Sequence, residues 1–470
     1  MLLILFKFGT INIEMSMKYS IIKILPLFLG GFLFTQSKAD SIQFKNISDE
    51  MLVNGTAYES LRDLTQNIGH RLSGSAAYEK SVDWAVLKLK EAGADKVWKE
   101  EVMVPVWERG KESLQIKEGN GKWKSLRMLS LGNSEGTKGK DVEAEIVFVK
   151  NKEEFDQLPD AAIKGKIIFF NYAFNQKFIM TGQAYGDASI YRRASASWAG
   201  KRGAKAVIIR SLSSAFDDVP HTGGMRYEAN DMAKIPAVAI GPRSADELEK
   251  TLKAQKVFAK LNSNATMKGE KLTHSVIGEI TGNKDKSVIV VGGHLDSWDV
   301  GEGAQDDGAG IVQSIEILRT FKKLGIKNNH TIRVVCFANE ENGVKGGNQY
   351  AENIKKNKEK HLFAIESDGG GFTPRGIGLV MSPEKRQQVQ SWRKLFLPYG
   401  VHNFEIQYAG TDIEPMEPLG VPLAELIPDS QRYFEIHHSE EDTFDKVNRR
   451  ELLLGAAVMG QLIYMVDKNW

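Results

Sequence analysis

The 470-residue chain holds one cysteine, Cys336, and only nine histidines. A single thiol closes no internal disulfide, so stability must come from core burial, and it leaves no thiolate set for zinc. Cys336 sits inside the run 332–338, apolar but for Arg333, and reads as a buried strand residue rather than a nucleophile. Charge of one sign is also lacking. Sixty-two basic against 60 acidic residues give a formal +2, which excludes the basic footprint of a nucleic-acid binder. Residues 1–39 carry Lys7, Lys18, Lys23 and Lys38 against Glu14, a surplus of +3, so their removal leaves 2 − 3 = −1. No hydrophobic run is long. The apolar stretch 24–34 is short for a membrane span. It follows Lys18 and Lys23 and precedes Ser37-Lys38-Ala39, the small-x-small pattern of a cleaved leader. Export to the periplasm or the medium is expected, with no stable membrane association once the leader is gone. A retained N-terminal anchor is the competing reading.

What is present is an alternation of helix and strand signals, over a length that implies two or more domains. From 40 to 98 the pattern is helical, with Tyr58, Leu61, Leu64 and Ile68 at steps of three and four, then a strand over 97–106. Short strands at 146–149, 167–170, 206–209 and 236–240 and helices at 192–202 and 244–253 mark a middle segment of different texture. That segment shows no converging set of histidines or acids, and His221, beside Thr222-Gly223-Gly224, reads as a turn residue. It suits an insertion that shapes or covers a site made elsewhere. From 272 onward the rhythm is regular: strands at 276–281, 288–292, 331–338 and 362–366 alternate with helices at 311–322 and 344–353. A final helix over 450–466 follows. The expected fold is α/β, a mixed, mostly parallel sheet flanked by helices. Its parts are a leader (1–39), a first part (40–123), an insert (124–267) and a second part (268–470).

The chemistry lies in five stretches beside the apolar runs of the second part: His294-Leu295-Asp296, Asp306-Asp307-Gly308, Glu340-Glu341, Ser367-Asp368-Gly369 and His437-His438-Ser439. Strand ends are where an α/β sheet gathers its ligands. Singly, each has a plainer explanation: a polar turn for His294, a helix N-cap for Asp307, solvated surface for Glu340-Glu341. Together they supply nitrogen and carboxylate ligands without sulfur, a set that suits catalytic zinc. Two ions are expected. Asp306, Glu341 and His438 would hold one, and His294, Asp306 and Asp368 the other, with Asp306 shared. Asp296 would take the second imidazole N–H of His294 on its carboxylate. Glu340 would act as general base in peptide or amide hydrolysis.

These residues resemble the M28 family of zinc exopeptidases, most closely its plasma glutamate carboxypeptidase branch. The resemblance rests on the run 293–301, on 303–308, on Glu366-Ser367-Asp368, on Gly410-Thr411-Asp412-Ile413 and on Phe434 through Ser439, and extends from about residue 50 to the C-terminus. It implies a phosphorylase/hydrolase-like peptidase domain interrupted by a protease-associated domain, and the metal and base roles just given. It also implies a cis peptide between Asp306 and Asp307, short unblocked peptides as substrates, and a homodimer. Two positions depart from the family pattern. Asn339 replaces a small residue before the glutamates, and His437 stands where many relatives carry a tyrosine that aids the oxyanion. His437 is therefore expected to stabilise the tetrahedral intermediate. Thr411 and Asp412 either line the substrate pocket or shape a loop. Competing functions are an aminopeptidase of the same family, a glutaminyl cyclase-like transferase and an inactive receptor-like homologue.

Overall fold

Val288–His294, Thr331–Phe337 and His361–Glu366 are buried at nearly every position, the pattern of strands covered on both faces. The computed structural model describes residues 38–231 and 233–470. The expected leader lies outside the described residues except for Lys38 and Ala39, which open the helix Lys38–Asn54. In the described chain these three strands and Leu423–Pro428 run parallel and form the centre of a seven-stranded sheet. Antiparallel strands flank the centre: Thr266–Ile280 and Lys96–Glu108 on one side, Pro374–Val380 on the other. The sheet is mixed, as expected.

Alternation within one strand shows how it is covered. Ile289 and Val291 join a core with the helices Ala76–Glu91, Ala309–Lys323 and Arg449–Asn469, while Val288 and Val290 face Tyr350 and Ile354 of Lys345–Asn357. Burying each such aliphatic side chain contributes ~1.5–3 kcal/mol. Cys336 is buried within the first of these cores, and burial pushes its thiol pKa up, so it is inert packing. The last helix packs against Lys38–Asn54 and Ala309–Lys323, with fewer contacts to the sheet. No helix among the described residues is long and apolar enough to cross a membrane.

The chain leaves this sheet after Glu108 and rejoins it at Thr266, and those two residues are partners in one ladder. Between them runs a second sheet of eight strands with its own cores on its two faces. Its strand Glu112–Glu118 lies upstream of the expected boundary at 124. The partner is Val257–Ser263, from the far end of the segment, so a local pattern does not reveal it. The helix expected from Arg192 begins at Thr181. Its first turns carry Gly182, Gly186 and exposed polar residues, which mute the apolar period.

Candidate metal centre

Parallel register brings the ligand-bearing strand ends level. His294 pairs with Phe337 across one ladder, and Gly292 pairs with Glu366 across the other. His294 thus emerges beside the Glu340-Glu341 loop and beside Asp368. Asp306 arrives from the loop before Ala309–Lys323, across a cis peptide to Asp307. Asp307 binds the Gly310 N–H (2.8 Å), as an N-capping acid would, and also the main-chain N–H of His294 (3.1 Å). One carboxylate therefore ties helix to strand. The glycines keep this crossing open: a Cβ on Gly293 would stand 2.2 Å from Asp307 Oδ2, and one on Gly310 would stand 1.9 Å from the Ser367 carbonyl.

The two oxygens of Asp306 point to two different histidines. Oδ1 lies 3.1 Å from His294 Nε2, and Oδ2 lies 3.1 Å from His438 Nε2. Asp368 Oδ1 is 3.2 Å from the same nitrogen of His294, and Glu341 Oε2 is 3.1 Å from that of His438. Tetrahedral ligands ~2.0–2.1 Å from one ion stand about 3.3 Å apart, so the contacts each histidine makes with its carboxylates have the spacing a zinc ion needs. His294, Asp306 and Asp368 converge as one possible ion site, and Asp306, His437 and His438 as the other. Asp306 Oδ2 has no hydrogen-bond partner although it is buried. An orphaned carboxylate oxygen between imidazoles fits a cation. His437 also reaches the site, with Nε2 3.6 Å from Asp306 Oδ2 and its ring stacked on His438 at 3.5 Å.

Electrostatics follow from burial. Burial pulls His294 down, but Asp306 and Asp368 outweigh it and raise it well above the ordinary histidine value. Asp306 moves the other way. Burial would raise it, yet His294 and His438 hold it well below the carboxylate range. Burial and then the neighbouring His438 keep the His437 ring neutral. Glu340 is pushed up to about 8 by burial and by Asp368 and Asp306, against the pull of His294. Burial and Asp306 likewise raise Glu341.

One expected contact is made differently. His294 Nδ1 is 3.0 Å from the main-chain carbonyl of Asp296, while the Asp296 carboxylate is 3.8 Å away. That carboxylate accepts the Glu340 N–H at 3.1 Å instead. Asp296 therefore serves both the histidine and the glutamate loop, through different atoms. The reason is local: a residue two positions on in an extended turn offers its carbonyl before its side chain. Asn339 adopts a left-handed conformation (φ 68°), which asparagine tolerates well. Asp412 is fully buried, and its main-chain N–H, with that of Ile413, binds the Glu366 carboxylate. It shapes this loop.

Several supporting residues escaped the sequence reading. Arg71, fully buried, donates to the carbonyls of Leu295, Glu302 and Gly303 and so pins the loop after His294. Asp442 accepts the N–H groups of Gln305 (2.7 Å) and Asp306 (3.1 Å). His221 is no mere turn residue, because its Nδ1 lies 2.6 Å from the His437 carbonyl. Ser213 and Ser214 bind the Phe434 carbonyl, and the Thr222 N–H binds that of His438. The inserted segment thus clamps the His437-His438 loop, where His438 is held at φ 61°. A non-glycine residue held there persists only when its surroundings over-determine it. Asn133 reaches Asn342 beside the glutamates from the same side.

Residues 275–463 match Peptidase family M28. Carboxypeptidase Q from Xenopus laevis is 35% identical over 442 residues, covering 92% of each chain. The crystal structure of a Peptidase M28 precursor from Shewanella amazonensis SB2B superposes with a TM-score of 0.86 at 33% identity, covering 91% of this chain and 97% of that one. A zinc aminopeptidase from Bacillus subtilis shares the fold (TM-score 0.62, 19% identity, 87% and 94% coverage). A likeness near one third identity along nearly the whole length of both chains places the protein in a family. The chain belongs to peptidase family M28 and is a metallopeptidase similar to carboxypeptidase Q.

Proposed function

We propose that the protein is an exported exopeptidase that hydrolyses short unblocked peptides with two zinc ions. The observation that carries the reading is Asp306, whose two oxygens face His294 and His438 separately. Asp306, Glu341 and His438 would hold one ion, and His294, Asp306 and Asp368 the other. Zinc held there would supply Lewis acidity toward a scissile carbonyl and a lowered pKa for water. The protein supplies the rest. Glu340, set by its main-chain bond to Asp296, removes the proton from the attacking water and returns it to the leaving amine. His437 offers a neutral ring whose Nε2 lies 3.6 Å from Asp306 Oδ2, and an N–H on that side would stabilise the charge that develops on the carbonyl oxygen. Replacement of His437 by alanine is expected to lower kcat with little change in KM. A homodimer acting outside the cytoplasm completes the reading.

The test is hydrolysis of unblocked dipeptides by the purified chain, abolished by a chelator and restored by two equivalents of zinc. A sample with both zinc ions bound and no activity on any dipeptide or aminoacyl substrate would refute the proposal.

A further inference from the structure

Glu340 and Glu341 sit in a turn, residues 339–344, between the strand Thr331–Phe337 and the helix Lys345–Asn357. The peptidase sheet holds the turn by its glutamates. Asp296 accepts the Glu340 N–H (3.1 Å), and Glu341 Oε1 accepts the Trp298 main-chain N–H (3.1 Å). The backbone is unusual at both ends, with Asn339 at φ 68° and the β-branched Val344 at φ 53°. Such a shape persists only where its neighbours fix it. Here the neighbours are amides. Asn339 Nδ2 donates to Asn342 Oδ1, and Asn342 Nδ2 donates to Asn133 Oδ1 (3.2 Å). Asn133 Nδ2 donates in return to the Asn342 carbonyl (3.3 Å). Of these three asparagines only Asn133 belongs to the inserted segment. Its neighbour Gly132 donates to the Gly223 carbonyl (3.0 Å) and accepts the Met225 N–H (2.9 Å), while the Thr222 N–H binds the His438 carbonyl (2.8 Å). Two hydrogen-bonded straps of one segment therefore grip the glutamate turn and the histidine loop together.

Resting on the peptidase reading, we propose that Asn133 is a positioning residue, which sets the pose of Glu340 and Glu341 through Asn342 and Asn339. Through Gly132 and the 222–225 strap it also fixes Glu341 against His438, whose Nε2 stands 3.1 Å from Glu341 Oε2. Asn339, the departure from the family pattern before the glutamates, is the inner end of this relay. A displacement of about 1 Å at a reacting group can cost ~10²-fold in rate. Loss of one brace, with the Asp296 and Trp298 bonds intact, is expected to cost about tenfold.

The test begins with N133G, because Asn133 lies at φ 67° and glycine removes the amide there without backbone strain. On leucyl-leucine N133G is expected to lower kcat about tenfold with KM nearly unchanged. N342A should do the same, and N133G/N342A should lose little more than N342A alone, since the two side chains act as one unit. A readout without turnover is the visible absorption of protein loaded with cobalt(II) in place of zinc. It should change in N133G at equal metal content. An unchanged kcat, a rise in KM alone, losses that multiply in the double variant or an unchanged cobalt spectrum would each overturn the inference and leave the peptidase reading standing. No cleavage of any unblocked dipeptide by the intact zinc-loaded enzyme would sink the peptidase reading, while the cobalt spectra still decide whether Asn133 positions the site.

Discussion

At the carboxyl ends of its parallel strands the first sheet carries His294, Glu340, Glu341 and Asp368, while the second carries Asn171, Ser211 and Gly241. Both centres are built from the same kind of strand: Ile167–Phe170 and Ala206–Arg210 are as fully buried as Val288–His294. Strand burial therefore says where a site could form, and only the residues just past the strand say what forms there. The second sheet lacks such residues, and its segment instead holds the loop that bears the candidate ligand His438. It is a clamp on the first sheet's chemistry.

The sharpest way to probe that division is to strike the chemistry alone. E340Q is expected to lower kcat roughly 10²–10⁴-fold with zinc content and folding unchanged, as for loss of a general base. Next come the cores. Phe169 of the second sheet and Phe363 of the first are fully buried, and either change to alanine should cost about 3–5 kcal/mol in denaturant unfolding. F169A should also weaken zinc binding, because the second sheet carries the groups that grip the His437-His438 loop. Unchanged zinc affinity in a destabilised F169A would show that the clamp is dispensable. G132A acts on the contact between the sheets. A Cβ there would stand 1.8 Å from Trp298, whose ring lies against His438 and whose main-chain N–H binds Glu341. Overpacking of ~1–3 kcal/mol and a lower zinc affinity are expected in a titration.

The smallest effect at neutral pH concerns His361, remote from the ligands and bonded to the Tyr350 hydroxyl at 2.9 Å. Burial lowers its pKa from 6.5 to about 4. Between those values the unfolded chain takes up a proton that the native chain refuses. Stability is therefore full above pH 6.5 and declines as pH falls toward 4. H361Q should flatten that part of a stability–pH curve, and an unchanged slope would refute the assignment.

Much of the fold was legible because its central strands are short, mainly apolar runs, such as 288–291 and 334–338, bounded by glycine and polar residues. The strands at 288–294 and 331–337 needed no partner to be recognised. Pro374–Val380 and Leu423–Pro428 went unread, and so did Glu112–Glu118, a strand near the sheet edge in which Leu114 alone is fully buried. The ligand residues stood out because acids and histidines directly after apolar strands are uncommon. Arg71 and Asp442 did not, since a buried charge on a helix or loop looks like a solvated one until its surroundings are known.

The sequence by itself determined which side chains can bind metal, that sulfur is not among them, and which strand each follows, because those are local matters of residue type and hydrophobic period. Only the tertiary structure decided that Asp306 divides its oxygens between two histidines, that the Asp296 carboxylate serves the Glu340 main chain, and that the inserted sheet grips the last histidine pair. Those contacts join residues tens to hundreds of positions apart, and their geometry is set by how two packed sheets meet.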